Sequence, residues 1–151
     1  MTETMNFLNE MSLTFESRSC NEAFARSAVG AFVAQLDPTI GELNDIRTAV
    51  SEAVTNCVVH AYRDTIGLIR INVKLTADHV VIIRIHDSGV GIENIAQAME
   101  PLYSTAPGDE RAGLGFAVMQ SFADTVTVRS KPQKGTTVTL RKAIARRVSH
   151  A

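Results

Sequence analysis

The pattern of hydrophobic and polar residues predicts strands in three parts of the chain. Every second residue from 11 to 15 is apolar, which is typical of a half-buried strand. The same alternation over residues 69–75, with a polar face of Arg70, Asn72 and Lys74, precedes an apolar strand over 79–86, so these two strands predict a hairpin. Apolar residues at 126, 128, 138 and 140, joined by a turn at 132–135, predict a second hairpin.

Helical periodicity fills the gaps between these strands. Ser19-Cys20-Asn21-Glu22 matches a capping box, so a helix should run from there to about Leu36, where Asp37-Pro38 ends it. This helix is expected to bury Ala23, Phe24, Val29, Phe32 and Val33. A second helix is predicted over about 40–62, and its second half is apolar nearly all round. A short helix near 95–99 and a further one over 114–123 complete the pattern.

The order strand, helix, helix, hairpin, loop, helix, hairpin predicts an α/β (α+β) fold. We expect a two-layer sandwich in which a mostly antiparallel, mixed sheet carries helices on one face. With 151 residues, the chain is expected to form a single domain over 1–151. The basic segment 141–151, which contains Arg141, Lys142, Arg146 and Arg147, is predicted to be a loose tail.

Composition excludes several classes of function. The formal net charge of -1 argues against an obligatory nucleic-acid partner, because phosphate binding normally requires a basic excess. No apolar run approaches the roughly 18 residues of a membrane span, and the acidic first ten residues do not fit a signal peptide. Cys20 and Cys57 match no metal or disulfide spacing, so they are interpreted as reduced thiols of a cytoplasmic protein.

Polar residues on the second predicted helix are the first candidates for chemistry. Glu52 and Asn56 lie one turn apart on the same face, and His60 extends that line. This spacing is typical of a helix edge facing water. It also fits a phosphate or magnesium site, because an amide oxygen suits Mg²⁺ and a carboxylate can serve as a base.

Glycine-rich segments supply the second group of candidates. Asp87-Ser88-Gly89-Val90-Gly91 follows an apolar strand, which fits either a tight turn or a carboxylate beside an open backbone. Gly113-Leu114-Gly115 opens a predicted helix, where backbone N–H groups can bind phosphate, and Arg111 precedes it. A dinucleotide-binding fingerprint fails, because Asn94 occupies its third glycine position.

The last candidate is Lys134-Gly135-Thr136-Thr137, which by itself is an ordinary hairpin signal. Taken in order, Glu52-x-x-x-Asn56, Asp87-x-Gly89-x-Gly91, Gly113-x-Gly115 and Gly135-Thr136 resemble the N, G1, G2 and G3 motifs of the GHKL ATPase/kinase superfamily. Within that superfamily the chain is similar to the anti-sigma factor serine kinases. That similarity rests on four segments, which are 32–38, 51–56, 60–62 and 101–105.

The resemblance implies a Bergerat ATP-binding fold and a role for each motif residue. Asp87 would bind the adenine amino group, with Gly89 and Gly91 giving room for the nucleotide and Thr137 supporting the base. Asn56 would hold Mg²⁺, and Glu52 would be the catalytic base. The remaining ATP-binding residues implied are Thr105, Arg111, Gly113, Leu114 and Gly115.

The resemblance also implies the partners. The chain would form a homodimer, bind and inhibit a sporulation sigma factor of the sigma F type through Arg26, and phosphorylate a serine of its anti-anti-sigma antagonist using ATP. Neither nucleic acid nor a membrane would be a partner. Ala106 and Ala112 depart from the family pattern, where a lysine and a hydroxyl residue are expected. A stress-response (sigma B) kinase and an ATP-binding module without chemistry remain alternatives.

Overall fold

A computed structural model describes residues 7–92 and 115–145 of the chain. Its strands and helices, in chain order, are β1 (Phe7–Glu16), α1 (Asn21–Val33), α2 (Ile40–Asn56), β2 (Leu68–Thr76), β3 (Val80–Asp87), α3 (Gly115–Phe122), β4 (Thr125–Lys131) and β5 (Gly135–Ala143). A 3₁₀ turn, Ala34–Leu36, extends α1, and a π-helical turn, Cys57–Ala61, extends α2. The short helix predicted near 95–99 lies outside the described residues.

The five strands form one sheet in the order β1-β2-β3-β5-β4. Each neighbouring pair is antiparallel, and both predicted hairpins are present. No parallel pair occurs among the described strands, so this sheet is purely antiparallel, whereas the prediction allowed for a mixed sheet. The α+β sandwich with helices on one face is confirmed.

The alternation of side chains gives the sheet two chemically different faces. The face under the helices, which we call the helix-side face, carries Ile69, Ile71, Val73 and Leu75 of β2 and their partners on β3 and β5, nearly all buried. The other face, which we call the open face, carries polar and basic residues, among them Arg70, Arg84, Arg129, Arg141 and the partly exposed Lys74. Burial of the apolar face against the helices supplies the main stabilisation of the fold.

Helix α1 begins differently from the prediction. Its N-cap is Cys20, and no side chain caps the helix, so the capping box predicted at Ser19 is wrong. The Glu22 carboxylate instead accepts a hydrogen bond from the Ser51 hydroxyl of α2 and lies 3.8 Å from Arg26 Nε. The Glu22 carboxylate therefore contacts α2 and does not cap the N-terminus of α1.

The buried stripe of α1 also differs in part from the predicted one. Ala25, Val29 and Val33 are buried at intervals of four residues. Phe24 lies off that stripe and is 55% exposed, with its ring edge packed on Phe15 at a centroid distance of 6.4 Å. Ala23 is exposed as well, so the predicted burial of these two residues is wrong.

Helix α2 has the capping box that α1 lacks. The Thr39 hydroxyl accepts a hydrogen bond from Glu42 N at 3.0 Å, and Thr39 N donates to Glu42 Oε1 at 2.8 Å. Ile46, Ala49, Val50, Ala53 and Val54 are buried along the helix. The α-helix ends at Asn56, where the chain widens into the π-helical turn, a rare conformation that is frequent at functional sites.

The described part of the predicted tail is packed against the domain. Arg141 and Lys142 belong to β5, Ile144 is buried, and Ala145 N donates to Glu42 Oε2 at 3.0 Å. Residues 146–151 lie outside the described part of the chain. Within residues 7–92 and 115–145, none of the helices has the length and apolar character that crossing a membrane requires.

Candidate functional site

Asp87 is the last residue of β3, and its side chain lies on the helix-side face. It pairs with Ile69 of β2 and Thr136 of β5, and only 4% of its surface is exposed. A carboxylate at the end of a strand whose other inward residues are Val81, Ile83 and Ile85 is far from the usual solvated setting. The sequence places this charge in the core because the strand alternates with a period of two.

The Asp87 carboxylate is held by donors from two segments. Gly89 N donates to Oδ1 at 2.9 Å, and Cys57 Sγ lies 3.6 Å from Oδ2. Burial raises the pKa of Asp87, and these hydrogen bonds oppose the rise. An ionised carboxylate has about four acceptor positions, so these two donors leave capacity for a further donor such as a ligand amino group.

Cys57, which directly follows α2, contacts Asp87. It opens the π-helical turn and is 4% exposed. Burial, together with the neighbouring Asp87 carboxylate, raises the pKa of Cys57 well above its usual range. The side chain is therefore a protonated thiol that can donate to the carboxylate.

Glu52 and Asn56 lie on α2 in the turns that lead to Cys57. Both side chains are half-buried, whereas Ala53 and Val54 beside them are buried in the core. Because Asn56 directly precedes Cys57, the Cys57–Asp87 contact places the polar edge of α2 next to the end of β3. Two of the predicted motifs are therefore brought together in space.

The loop after Asp87 is anchored to the π-helical turn by backbone and side-chain contacts. Ser88 N donates to Tyr62 Oη at 2.6 Å, and Tyr62 Oη donates to Leu68 O at 2.8 Å. Val90 N donates to Ala61 O at 3.2 Å. The sequence analysis did not single out Tyr62 as a site residue. The only indication in the sequence was that Tyr62 belongs to segment 60–62, one of those that resemble the anti-sigma factor kinases.

Gly89 and Gly91 are required by packing within the protein. A Cβ at Gly89 would clash with the Ala61 carbonyl, and one at Gly91 would clash with the Lys131 carbonyl. Gly91 also has a φ of 76°, a conformation that other residues rarely adopt. These contacts fix the path of the loop between α2 and the β4–β5 turn, and the expected role of the two glycines in giving room for a nucleotide stays a prediction.

The structure does not bring Thr137 to Asp87. Thr137 pairs with His86, and its hydroxyl lies 2.8 Å from His86 Nδ1 on the open face. Thr136 is the residue that shares the face of Asp87, and its hydroxyl bonds Ser130 Oγ at 2.7 Å. Because consecutive strand residues point to opposite faces, Thr136 rather than Thr137 lies on the face of Asp87.

The remaining predicted site residues are not assembled around Asp87 by the described part of the chain. Thr105, Arg111, Gly113 and Leu114 lie outside the described residues, as do Ala106 and Ala112, and Gly115 is described only as the first residue of α3. Arg26 lies half-buried on α1 beside Glu22. Because Glu22 also binds Ser51, which precedes Glu52, Arg26 is linked to the polar edge of α2.

The described residues fit a nucleotide better than a protein-bound metal centre. A buried carboxylate with spare acceptor capacity suits the amino group of a base. No group of three or more His, Cys, Asp or Glu side chains within residues 7–92 and 115–145 could hold a metal ion. Mg²⁺ is commonly bound by one or two protein oxygens together with phosphates and waters, and the Asn56 amide can supply one such oxygen.

Comparison with solved structures supports the fold. The RsbU and RsbW domains of a Mycobacterium tuberculosis protein match with a TM-score of 0.68 and 20% identity, covering 92% of this chain and 33% of that one. The histidine kinase domain of an Erythrobacter litoralis blue-light activated histidine kinase matches with a TM-score of 0.53 and 17% identity, covering 82% of this chain and 60% of that one.

Sequence comparison is more specific. Residues 15–142 match the histidine kinase-like ATPase domain family, which implies ATP or ADP as the bound nucleotide. The anti-sigma F factor of Caldanaerobacter subterraneus subsp. tengcongensis is 53% identical over 142 residues, which cover 94% of this chain and 99% of the relative. That of Clostridium beijerinckii is 56% identical over 135 residues, which cover 89% and 94%. The chain therefore belongs to the anti-sigma F factors, within the histidine kinase-like ATPase family.

Proposed function

We propose that this protein binds and inhibits a sporulation sigma factor of the sigma F type and is also an ATP-dependent serine kinase of its anti-anti-sigma antagonist. The observation that carries the proposal is the 53% identity to an anti-sigma F factor over 94% of this chain. The 142 aligned residues make up nearly the whole chain. The geometry around Asp87 supports the nucleotide part independently.

Adenine recognition is assigned to Asp87 and Thr136. The buried Asp87 carboxylate accepts a hydrogen bond from the exocyclic amino group of adenine, which a 6-oxo base lacks. Thr136, on the same face of the sheet, replaces Thr137 as the threonine that supports the base. Gly89 and Gly91 hold the loop beside Asp87, so the pocket wall is set before the nucleotide binds.

Phosphate binding and transfer are assigned to α2 and to the second glycine motif. Asn56 would contribute an oxygen to Mg²⁺, while Thr105, Arg111, Gly113, Leu114 and Gly115 would contact the phosphates. ATP supplies the phosphoryl group that is transferred to the acceptor serine, leaving ADP. Glu52 takes the proton of the serine hydroxyl, and positioning together with charge stabilisation provides most of the rate enhancement.

The kinase assignment is tested with Glu52→Gln and with Glu16→Gln as its matched control. Glu16 is exposed and pairs only with its neighbour Arg18 in the described structure, so its loss should change little. With Mg²⁺, labelled ATP and the purified anti-anti-sigma factor, Glu52→Gln should lower the phosphorylation rate at least about 100-fold while retaining ADP binding. Phosphoserine formation at the wild-type rate in Glu52→Gln would exclude Glu52 as the base.

The test also separates the main alternatives. An ATP-binding module without chemistry would give no phosphoserine even with the wild-type chain. A sigma B type kinase would phosphorylate its own acceptor with the same Glu52 dependence, but it would not bind the sporulation sigma factor. The two readouts, acceptor phosphorylation and sigma factor affinity, therefore identify which of the three assignments holds.

Sigma factor binding is assigned to the α1 region with Arg26 as a contact. The Arg26 side chain is 40% exposed and its Nε lies 3.8 Å from Glu22 Oε1, so the outer nitrogens of the guanidinium are accessible to a partner. Arg26→Ala should weaken sigma factor binding roughly 10-fold or more and leave ATP binding within twofold. Arg18→Ala, an exposed arginine before α1, is the matched control.

The remaining assignments concern the assembly and location of the protein. We propose that the chain forms a single domain over 1–151 and that two copies associate as a homodimer in the cytoplasm. Neither nucleic acid nor a membrane would be a direct partner. Sedimentation of the purified protein tests the dimer directly, and a monomer at micromolar concentration would contradict it. Regulation of transcription would then follow from sequestering the sigma factor alone.

A further inference from the structure

Cys57 occupies a position that the proposed kinase mechanism leaves without a role. It is 4% exposed and follows Asn56 at the start of the π-helical turn. A buried cysteine in a core normally packs as a small apolar residue. Here the thiol sulfur lies 3.6 Å from Asp87 Oδ2, so it contacts a buried carboxylate.

The thiol and a loop amide act on different oxygens of the same carboxylate. Gly89 N binds Oδ1 at 2.9 Å and Cys57 Sγ binds Oδ2. The amide belongs to the loop after β3, whereas the thiol belongs to the end of α2. A carboxyl group held at only one oxygen can rotate about its terminal bond, since that torsion is broad. Holding both oxygens restricts the rotation and fixes the direction of the remaining lone pairs.

We propose that Cys57 is a positioning residue for base recognition: its thiol donates to Asp87 Oδ2 and holds the carboxylate in the orientation that accepts the adenine amino group. This inference rests on the proposed function, because it requires Asp87 to bind adenine. Cys57 contacts Asp87 and needs no contact with the nucleotide. Its effect is therefore specific to ligands that carry the amino group.

A pair of nucleotides isolates that effect. ADP carries the 6-amino group, and purine riboside 5′-diphosphate lacks it but keeps the ring, the ribose and the phosphates. The ratio of their affinities reports the contact between the amino group and Asp87. A change in the general shape or stability of the pocket would alter both affinities by the same factor and leave the ratio unchanged.

The experiment measures both affinities by titration calorimetry for the wild-type chain, Cys57→Ala and Cys57→Ser. Cys57→Ala should weaken ADP binding roughly fivefold, the equivalent of one modest hydrogen bond, and change purine riboside diphosphate binding by less than twofold. Cys57→Ser keeps a donor and should recover most of the ratio. Cys20→Ala, which removes the exposed thiol before α1, should leave both affinities unchanged.

Each outcome decides a different point. If the wild-type chain does not prefer ADP, Asp87 does not bind the amino group, and both the adenine assignment and the role of Cys57 fail. If the wild-type chain prefers ADP and Cys57→Ala keeps the full ratio, only the role of Cys57 is overturned. Should Cys57→Ala fail to fold, Cys57→Val, which fills the site with an apolar side chain that cannot donate, is compared with Cys57→Ser in the same way.

Discussion

The two faces of the sheet differ most sharply at the end of β3. On the helix-side face Asp87 and Thr136 are both buried, and donors from the loop after β3 and from the end of α2 hold the carboxylate. One residue away, His86 and Thr137 form the equivalent pair on the open face, at 2.8 Å and partly exposed. The residue types are alike, a titratable group beside a threonine, but only the first pair lies in a setting that can select a ligand.

Burial accounts for this difference. A hydrogen bond formed in water replaces one with solvent and gains little, whereas an acceptor removed from water binds a matching donor strongly and penalises a ligand that lacks it. The open face is also basic, with Arg84 beside His86 on β3 and Arg129 on β4. The comparison therefore predicts large effects for changes on the helix-side face and small effects for the equivalent changes on the open face.

The largest effect on stability is expected in the loop after β3, where Gly89 packs against the π-helical turn. Gly89→Ala places a methyl group against the Ala61 carbonyl, so the loop or the π-helical turn must move. We expect a loss of about 3 kcal/mol in the free energy of unfolding, measured by urea denaturation. Gly41→Ala is the matched control, because its Cβ would meet only Thr39 Oγ1 at 3.8 Å. Equal stability of the two variants would show that the loop is not packed as described.

The next largest effect is expected at Asp87 itself. Asp87→Asn replaces an acceptor by a group that also donates, and it removes the charge that we propose binds the adenine amino group. ADP affinity should fall roughly 30-fold, or about 2 kcal/mol, in a calorimetric titration. His86→Asn on the open face should change ADP affinity less than twofold, and a larger loss there would contradict the comparison.

The same carboxylate predicts how stability depends on pH. Because burial raises the pKa of Asp87 in the folded chain, folding favours the protonated form. The stability contributed by this group is therefore complete below its ordinary pKa of about 3.9 and is lost as the pH rises through the raised value. Urea denaturation of the nucleotide-free chain should show this decline relative to Asp87→Asn. A difference between the two chains that is independent of pH would refute the burial effect.

A smaller effect separates the two adjacent threonines. Thr136→Val removes a hydroxyl on the face of Asp87 and should weaken ADP binding roughly fivefold, about 1 kcal/mol. Thr137→Val removes the hydroxyl that contacts His86 and should leave ADP binding within twofold. A reversed order would restore the sequence-based assignment of Thr137 and would require a different register of β5.

The smallest effect is expected on the basic part of the open face. Arg84→Ser removes an exposed charge on β3, and such substitutions usually change stability by less than about 0.5 kcal/mol. Neither ADP affinity nor the urea midpoint should move appreciably. A marked loss of either would show that the open face contributes to the site.

Much of the fold could be predicted because its signals are local. The alternation along β2 and β3 and the periodicity of α2 gave the correct elements and the helix-covered sheet. The predicted cap of α1 failed because Glu22 binds Ser51 of another helix, a contact that no local pattern encodes. Phe24 was misplaced for a related reason, since the buried stripe of α1 depends on the angle at which the helix meets its neighbours.

The motifs could be located in the sequence, whereas the contacts between them could not. Their order, which resembles that of the GHKL superfamily, pointed to Glu52, Asn56 and Asp87 as members of one site. Cys57 and Tyr62 were not recognised as neighbours of Asp87, because 30 and 25 residues separate them from it along the chain. The choice between Thr136 and Thr137 depends on strand register, which a one-residue shift reverses.

The sequence by itself determined the elements of this protein, the residue types available for chemistry and the family to which it is related. Hydrophobic periodicity and the order of the glycine and carboxylate motifs are properties of the chain and need no coordinates. Only the tertiary structure decided which side chains meet. Burial of Asp87, its contact with Cys57 and the face on which each threonine lies arise when α2 packs on the sheet, since desolvation and hydrogen-bond geometry exist only between segments that have been brought together.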